Sequence, residues 1–440
     1  MKFGWGYDIA RSTLILSLIL FLFFMSGILL SAEEYTLDLD EFEKKSFEWG
    51  GYAELKWEHN FLNRDSVFYP LTFGQDSPST LDIVTPLMQL EGNMDKDVTS
   101  FIWLLQASAQ YDQTDWQGNA DIFEAYAAIK PTPQAAIDLG KKRFKWGKGY
   151  AWNPVAVIDR LKDPNNPELA QEGYFGAGLD LIKSFSTPLQ TAAFTAVFLP
   201  VTSEVNEDFG ATGANLATKL YLLYMDTDID LIWFTGESRS NQYGIDFAKN
   251  LASNFEIHGE LLYVPQQNKK ILTSDGNIAT QEVANTSYLL GIRYLTKNDI
   301  TAIMEFYHNG AGYSEAEMDR FYQFVADAGD DFLATGDPGF LDEALRLNQS
   351  GYNRPQSGYN YLYLRITQKD PFNFLYFTPG LTAIINLEDQ SYSVTPEVVY
   401  SGFTNWEGRL RFALLNGDNF TEYGEKLNNS KVELRVRYFF

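Results

Sequence analysis

The sequence predicts an all-β protein, a transmembrane antiparallel β-barrel of about 18 strands, with 16 strands as the alternative count. Three observations predict it: a C-terminal segment that alternates between apolar and polar residues, many further segments of the same kind, and a regular succession of short and long connectors. Strands with one lipid-facing side and one lumenal side, joined by short periplasmic turns and long outer loops, are typical of membrane barrels.

The C-terminal strand is predicted over Lys431–Phe440, which reads KVELRVRYFF. Its apolar face carries every second residue: Val432, Leu434, Val436, Tyr438 and Phe440. Its polar face carries the charged residues Glu433, Arg435 and Arg437. Ten residues are enough for a tilted strand to cross a bilayer, and in a barrel the apolar face would meet lipid. A soluble sandwich that buries this face against its core is the alternative.

The N-terminus, residues 1–32, is predicted to be a signal peptide. Lys2 and Arg11 flank the start of an almost wholly apolar run, Leu14–Leu30, and Ser31–Ala32 then gives way to acidic residues. This order of charged, apolar and small residues is that of a secretory signal. Cleavage after Ala32 would leave a short periplasmic segment, 33–46, and the barrel itself at 47–440. An uncleaved membrane anchor is the alternative.

Composition excludes several classes of function. The chain has no cysteine, so it has no thiolate metal site, no c-type haem attachment motif and no cysteine nucleophile. Its net charge of −24 predicts repulsion from nucleic acid. The three histidines stand outside any nucleophile elbow, phosphate loop or zinc motif. We therefore predict no cofactor, no metal ion and no enzymatic activity.

Eighteen candidate strands follow one another along the chain. They lie at about 48–58, 81–93, 98–111, 121–130, 135–145, 173–185, 191–200, 213–225, 229–236, 241–248, 254–264, 284–295, 300–309, 356–368, 373–385, 392–401, 405–415 and 431–440. The pattern is weakest over 229–248, which is why 16 strands is the alternative. Every second connector is short, whereas those at 59–80, 146–172, 265–283, 310–355 and 416–430 are long. We expect the loops at 146–172 and 310–355 to form a constriction or a lid.

A basic and aromatic segment precedes and enters the first of these two loops. Gly140–Pro154, GKKRFKWGKGYAWNP, interleaves the cations Lys141, Lys142, Arg143, Lys145 and Lys148 with the aromatic residues Trp146, Tyr150 and Trp152. We interpret it as a constriction that attracts anions and packs aromatic faces on sugar rings. The alternatives are a basic rim that contacts lipopolysaccharide phosphates and a turn with solvated charge. Strand parity leaves open whether Lys141 or Lys142 faces inward.

A wall of arginines is predicted where the last strand closes the barrel. The cations are Arg409, Arg411, Arg435 and Arg437, with Arg365 and Arg293 farther round. Acidic residues share the lumen: Glu407, Glu433, Glu54 and Glu58 near the closure, and Glu256 and Glu260 elsewhere on the ring. Charged rings in a pore select ions by charge. Alternatively, these groups only neutralise one another.

The loop 310–355 is predicted to contain two helices. Ser314 and Glu317 form a capping box, and apolar residues follow at helical spacing until Gly329, which can end the first helix. Asp337 and Pro338 begin a second helix that reaches about Leu347. We expect the apolar stripe of this segment to pack at the barrel mouth. Its acidic residues lack the spacing of a calcium loop.

This architecture resembles porin-type channels of the bacterial outer membrane, in particular the larger monomeric barrels such as the alginate-export type. The resemblance rests on the C-terminal strand, the rhythm of hairpins and the number of strands. It implies a Gram-negative outer-membrane location and contact with lipid and lipopolysaccharide, and it favours a monomer while leaving the oligomeric state open. It also implies that the barrel-assembly machinery recognises the C-terminal strand.

The resemblance implies a channel for passive diffusion of small hydrophilic solutes, with anions and sugars as the candidates. The alternative is a structural barrel that sheathes or anchors an electron-transfer protein or an exported polymer. An outer-membrane enzyme is the third reading, and the sequence favours it least.

Overall fold

The structure, a computed structural model, describes residues 46–74, 78–112, 114–273, 276–337, 339–352 and 354–440. The predicted signal peptide and, apart from Ser46, the segment 33–46 lie outside the described residues. No helix in the described part of the chain is long and apolar enough to cross a membrane.

Eighteen antiparallel strands form one closed sheet, and the predicted fold class and strand count are confirmed. Each strand pairs with its neighbours in sequence, and β1 closes the barrel by pairing with both β18 and β2. The strands are β1 Phe47–Leu62, β2 Thr80–Lys96, β3 Thr99–Tyr111, β4 Trp116–Thr132, β5 Ala135–Lys142, β6 Tyr174–Ser184, β7 Leu189–Val201, β8 Gly213–Tyr224, β9 Thr227–Gly236, β10 Gln242–Ala252, β11 Phe255–Leu272, β12 Ile278–Leu295, β13 Ile300–His308, β14 Asn360–Gln368, β15 Phe377–Asn386, β16 Tyr392–Phe403, β17 Trp406–Asn416 and β18 Asn428–Phe439.

The two faces of the sheet differ in polarity as the alternation predicts. On β18, Leu434 is 43% exposed on the outer face, whereas Glu433 and Arg435 are only 2% and 4% exposed in the interior. Exposed leucine, phenylalanine and tryptophan side chains recur on other strands. They form an outward apolar belt around a lumen that carries the charged residues, which is the arrangement of a barrel in lipid.

The two ends of the barrel carry connectors of different length. At the short-turn end, five connectors have two residues, two have four, and the connector at 369–376 has eight. In the turn between β8 and β9, Met225 and Asp226 both have left-handed backbone, with φ of 49° and 56°, as two-residue hairpins require. At the long-loop end lie the segments 63–79, 143–173, 202–212, 309–359 and 417–427.

Three α-helices lie at the long-loop end: α1 Tyr69–Phe73, α2 Glu315–Thr335 and α3 Gly339–Leu347. A π-helical turn, Asn348–Tyr352, follows α3, and a 3-10 turn, Pro371–Asn373, lies at the opposite end. The Ser314–Glu317 capping box is present. The prediction that α2 ends at Gly329 was wrong. Gly329 is buried within the helix, and α2 ends at Gly336, whose φ of 75° gives the left-handed conformation of a helix C-cap.

The apolar stripe of α2 packs on other segments of the long-loop end. Phe321 lies between Phe68, from the segment that contains α1, and Tyr352, with ring centroids 5.9 Å and 4.4 Å away. Leu272, at the end of β11, and Phe420, from the last long loop, join the same cluster. Helices α2 and α3 therefore form part of a packed cap on this end of the barrel.

Candidate functional site: a basic eyelet beside an inserted loop

The segment 143–173, which we call the lumenal loop, folds into the barrel between β5 and β6. Trp146 and Val155 are buried against inward side chains of β6 to β11, including Val197 and Phe234. On another part of the wall, Trp152 is buried against inward residues of β12 to β15. Its ring stacks on that of Tyr307, on β13, with the ring centroids 5.1 Å apart. The loop therefore crosses the lumen and covers a large part of its wall.

The Glu260 carboxylate on β11 holds the middle of this loop. Its oxygens accept the main-chain N–H groups of Lys148 at 2.5 Å, Gly149 at 2.6 Å and Val155 at 3.2 Å. Glu260 was predicted to line the pore, but it is buried beneath the loop. Its charge is used to satisfy backbone donors, which are costly to bury without an acceptor.

A second wall carboxylate, Glu305 on β13, holds the next two residues of the loop. It accepts the main-chain N–H of Tyr150 at 2.5 Å and of Ala151 at 2.8 Å, and its Oε1 lies 2.9 Å from Nε2 of His258. The predicted residue Glu256 lies on the other side of this histidine, 3.4 Å from Nδ1. Glu305 was not predicted as a site residue, although it is the only acidic residue of β13.

Lys148 neutralises a further part of the same wall. Its ammonium lies 2.9 Å from Asp230 on β9 and 3.8 Å from Asp246 on β10. Burial alone would lower the pKa of Lys148, but the two carboxylates outweigh burial and raise it above its ordinary value. The lumenal loop thus covers the acidic wall formed by β9, β10, β11 and β13, whose residues Asp230, Asp246, Glu260 and Glu305 are buried.

An open cavity of about 400 Å³ remains between the lumenal loop and the opposite wall, and we call it the eyelet. From the loop, it is lined by Arg143, Lys145, Tyr150 and residues 166–171. From the wall, it is lined by Tyr52, Gln89, Glu91, Leu104, Glu124, Arg365, Glu407, Arg409, Arg411, Arg435 and Arg437. The eyelet therefore brings together two of the five predicted loop cations, Arg143 and Lys145, and five of the six arginines of the predicted wall.

Four of the five wall arginines are ion-paired. The pairs are Arg365–Glu397 at 2.6 Å, Arg411–Glu397 at 2.9 Å, Arg435–Glu433 at 3.0 Å and Arg437–Glu54 at 2.7 Å. The geometry of these four arginines therefore fits the alternative that charged groups of the lumen neutralise one another. Glu397, which joins two arginines, was missed in the sequence, although it is the only charged residue of β16.

Three cations of the eyelet remain without a carboxylate partner. Among the described residues, no carboxylate oxygen lies within 4.0 Å of the charged groups of Arg143, Lys145 or Arg409. The buried Nε–H groups of Arg143, Arg409 and Arg435 have no hydrogen-bond acceptor in the described part of the chain, although Nε of Arg435 lies 3.7 Å from the Glu54 carboxylate. The charges of Arg143, Lys145 and Arg409 are therefore not compensated by a neighbouring carboxylate, so an anion in the eyelet would be attracted to them.

Arg411 also holds the part of the lumenal loop that borders the eyelet. Its guanidinium donates to the Asn165 carbonyl at 2.9 Å and to the Asn166 side chain. Tyr150 donates its hydroxyl proton to Glu168 at 2.8 Å, and burial raises the pKa of Tyr150 above its ordinary value. The eyelet is thus bounded by a loop segment that is bonded to the wall and to itself.

Several predicted site residues lie outside the eyelet. Lys142 faces the lumen, where it is paired with Asp138, whereas Lys141 is paired with Glu172. Glu256, Glu260, Arg293 and Lys142 do not line this cavity. The two loop tryptophans were predicted as free faces for sugar rings, but Trp146 and Trp152 are buried against the barrel wall. Only Tyr150 of the three loop aromatics borders the eyelet.

A larger cavity of about 940 Å³, the vestibule, lies on the other side of the lumenal loop at the long-loop end. Arg239 there stacks 3.7 Å from the centroid of the Phe209 ring, and burial lowers the pKa of Arg239. Lys162 donates to the carbonyls of Gly149 and Tyr150, and burial lowers its pKa too. The lumenal loop lines both cavities, with residues between 152 and 162 at the vestibule and others within 143–150 and 166–171 at the eyelet.

Solved structures with the same fold are outer-membrane barrels. OccAB1 of Acinetobacter baumannii superposes with a TM-score of 0.53 at 8% identity, over 90% of this chain and 96% of that one. OccK2 (OpdF) of Pseudomonas aeruginosa, in complex with glucuronate, gives 0.50 at 11% identity, over 90% and 96%. Wzi, a carbohydrate-binding outer-membrane barrel involved in group 1 capsule assembly in Escherichia coli, gives 0.50 at 9% identity, over 88% and 84%.

By sequence, no protein-family model and no curated protein matches the chain. The structural likeness, at these low identities, establishes the fold. The chain has the fold of a porin-type outer-membrane β-barrel, and its fold class and resemblance were correctly predicted from the sequence.

Proposed function

We propose that this chain is an outer-membrane channel through which small hydrophilic anions diffuse passively. The single observation that carries the proposal is the set of eyelet cations, Arg143, Lys145 and Arg409, that have no carboxylate within 4.0 Å among the described residues. Arginine is suited to carboxylate and phosphate recognition because its planar group presents several donors. Charged groups that line a constriction select ions by charge.

The arrangement of the lumen supports the same selectivity. The acidic residues Asp230, Asp246, Glu260 and Glu305 are covered by the lumenal loop, and they bind its backbone or Lys148. The cations Arg143, Lys145 and Arg409 remain at the eyelet. A solute that passes the eyelet would therefore meet these cations, beside Glu91, Glu124 and Glu407, rather than the covered acidic wall.

The solved neighbours suggest which solutes to test first. OccK2 was solved with glucuronate, which is both a sugar and a carboxylate, and Wzi is described as carbohydrate-binding. A sugar acid would combine the anionic group that the eyelet arginines attract with a polar ring. We propose sugar acids as the first solutes and acetate as the minimal carboxylate for comparison.

A second candidate function is a barrel that conducts little and holds a partner. The specific observation that favours it is the course of the lumenal loop across the barrel, where its residues line both the vestibule and the eyelet. A loop that blocks the lumen under all conditions would leave a structural role.

Conductance of the purified, refolded chain in planar bilayers under a salt gradient tests both functions. Stable open steps with a reversal potential that reports anion preference would support the channel. A folded, heat-modifiable barrel without conductance would favour the partner-holding barrel. Open steps with cation preference would contradict the role of the eyelet arginines while leaving a channel in place.

We also propose that the C-terminal strand directs assembly of the barrel. Phe440 and Gly51 bond to each other through their main chains, with N···O distances of 3.1 and 3.2 Å, at the seam between β18 and β1. The outward face of β18, with Leu434 and Val436 exposed, is the surface that an assembly factor or lipid would meet. We also propose that the barrel is a monomer and that its outer surface contacts lipopolysaccharide.

A further inference from the structure

The connector between β14 and β15 differs from every other connector that the structure describes at the short-turn end. It has eight residues, 369–376, whereas the others have two or four. Four of its large apolar side chains are more than half exposed: Phe372, Phe374, Leu375 and Tyr376. The Phe372 side chain is fully exposed, with a relative accessibility of 101%. A contiguous apolar patch of this kind marks an interaction surface.

The connector is an ordered turn. The Asp370 carboxylate accepts the main-chain N–H of Tyr376 at 2.5 Å, and the Phe374 N–H bonds to the Pro371 carbonyl at 3.0 Å. Four non-glycine residues have left-handed backbone, with φ between 49° and 65°: Asp370, Phe372, Asn373 and Tyr376. This conformation is unfavourable for bulky residues, so the turn holds its aromatic side chains outward in a backbone that is costly to form.

The turn leans over the outside of the barrel. The Phe374 ring stacks on Tyr400, with centroids 5.8 Å apart and planes 14° apart, and lies 5.2 Å from the Phe377 ring. Tyr400 and Phe377 are directly paired across β15 and β16, and Phe377 shares the outward face of β15 with the exposed residue Leu381. The exposed surface of the turn is therefore continuous with the outward apolar belt.

We propose that the segment 371–376 is a membrane anchor that inserts into the lipid leaflet at the short-turn end of the barrel. Phenylalanine and tyrosine side chains are favoured at the boundary between acyl chains and headgroups. The exposed Lys369, which precedes the turn, is placed to meet lipid phosphate. The only carboxylate of the turn, on Asp370, is bonded to the Tyr376 N–H. The anchor fixes the depth of β14 to β16 in the bilayer independently of what the lumen conducts.

Because the chain has no cysteine, a single nitroxide label can be placed on the refolded full chain without other changes. We would label F372C in vesicles of phosphatidylethanolamine and phosphatidylglycerol and measure relaxation by oxygen, which concentrates in lipid, and by a nickel chelate, which stays in water. L381C on the lipid-facing side of β15 is the lipid control. K297C, in a four-residue turn at the same end, is the water control.

We expect the label at position 372 to be relaxed by oxygen and protected from nickel, as at position 381. Nickel accessibility equal to that at position 297 would overturn the anchor. Protection from both reagents, with cross-linking between copies of the chain, would also overturn it and indicate a protein interface. If F372C does not give a heat-modifiable barrel, L375C in the same turn provides the same readout.

Discussion

The Glu305 carboxylate on β13 accepts the main-chain N–H of Ala151 at 2.8 Å, although the two residues lie 154 positions apart. Both residues are fully buried. A carboxylate that accepts backbone donors in a dry interior makes a short, strong hydrogen bond. The position of the lumenal loop, and with it the width of the eyelet, therefore depends in part on this side chain of the wall that the loop covers, together with the bonds to Glu260.

Replacing Glu305 by glutamine is expected to loosen the lumenal loop. The amide is neutral and offers one acceptor in place of the two oxygens that bind Tyr150 and Ala151. Loss of a hydrogen bond to a charged group costs roughly 1.5–3 kcal/mol. We expect larger and noisier single-channel steps with weaker anion preference, measured in planar bilayers.

Glu256→Gln is the matched control, because Glu256 lies on the same wall beside His258 but accepts no backbone N–H of the loop among the described contacts. Its conductance should stay at the value of the unmodified chain. Equal effects of both replacements would show that lumenal charge, and not the bonds to the loop, governs the conductance.

Arg409→Glu is expected to shift ion selectivity toward cations with little change in stability. Arg409 borders the eyelet and has no carboxylate within 4.0 Å among the described residues, so its replacement breaks no ion pair. The measurements are the reversal potential under a salt gradient and the midpoint of denaturant unfolding. An unchanged reversal potential would remove Arg409 from the selectivity filter.

Arg437→Gln is the comparison with Arg409→Glu, because Arg437 lines the same cavity but is paired with Glu54 at 2.7 Å. Removing it leaves the carboxylate of the buried Glu54 with weaker compensation, so we expect a clear loss of stability as well as a smaller change in selectivity. The two variants therefore distinguish the effect of a cation without a carboxylate partner, which is on selectivity, from that of an ion-paired cation, which is mainly on stability.

The strands could be predicted from sequence because their signal is local. A period of two identifies the lipid-facing side of β18 from Val432 to Tyr438 without knowledge of any other segment. The short turns are equally local. The same reasoning placed Arg409, Arg411, Arg435 and Arg437 on one lumenal wall, since adjacent strands in register bring them together.

The eyelet itself could not be derived in the same way. Contacts such as Glu305 with Ala151 and Arg411 with Asn166 join distant parts of the chain and exist only after the barrel has closed. Whether a tryptophan of the loop packs on the wall or faces the pore depends on those contacts. The buried position of Trp152, stacked on Tyr307, is a result of closure that no sequence period encodes.

Glu397→Ala is expected to destabilise the barrel strongly. Glu397 is buried and bonds Arg365 at 2.6 Å and Arg411 at 2.9 Å, so its removal leaves two guanidinium groups without their carboxylate. Breaking a buried ion pair from one side costs about 3–5 kcal/mol. Denaturant unfolding monitored by heat-modifiability measures this loss. Glu407→Ala is the milder control, because the Glu407 carboxylate lies 3.8 Å from the Arg437 guanidinium.

The N-terminus of α2 is expected to lose stability in acid through Glu317. Burial alone would raise the pKa of Glu317, but the Ser314 N–H and the Lys269 ammonium, at 2.8 and 3.0 Å, leave it below its ordinary value. A lowered folded pKa means that the carboxylate stabilises the helix above the ordinary glutamate pKa. This contribution is lost as the pH falls through the lowered folded value.

Hydrogen exchange of the first turn of α2, followed from neutral pH to below the ordinary glutamate pKa, measures this effect. We expect Glu317→Gln to raise exchange at neutral pH, consistent with the loss of about 1 kcal/mol for a helix cap, and to flatten the acid dependence. Asp319→Asn removes the same charge from an exposed position of the same helix and should keep that dependence. An acid profile that survives in Glu317→Gln would assign the transition to another group of the cap and would remove the capping box as its cause.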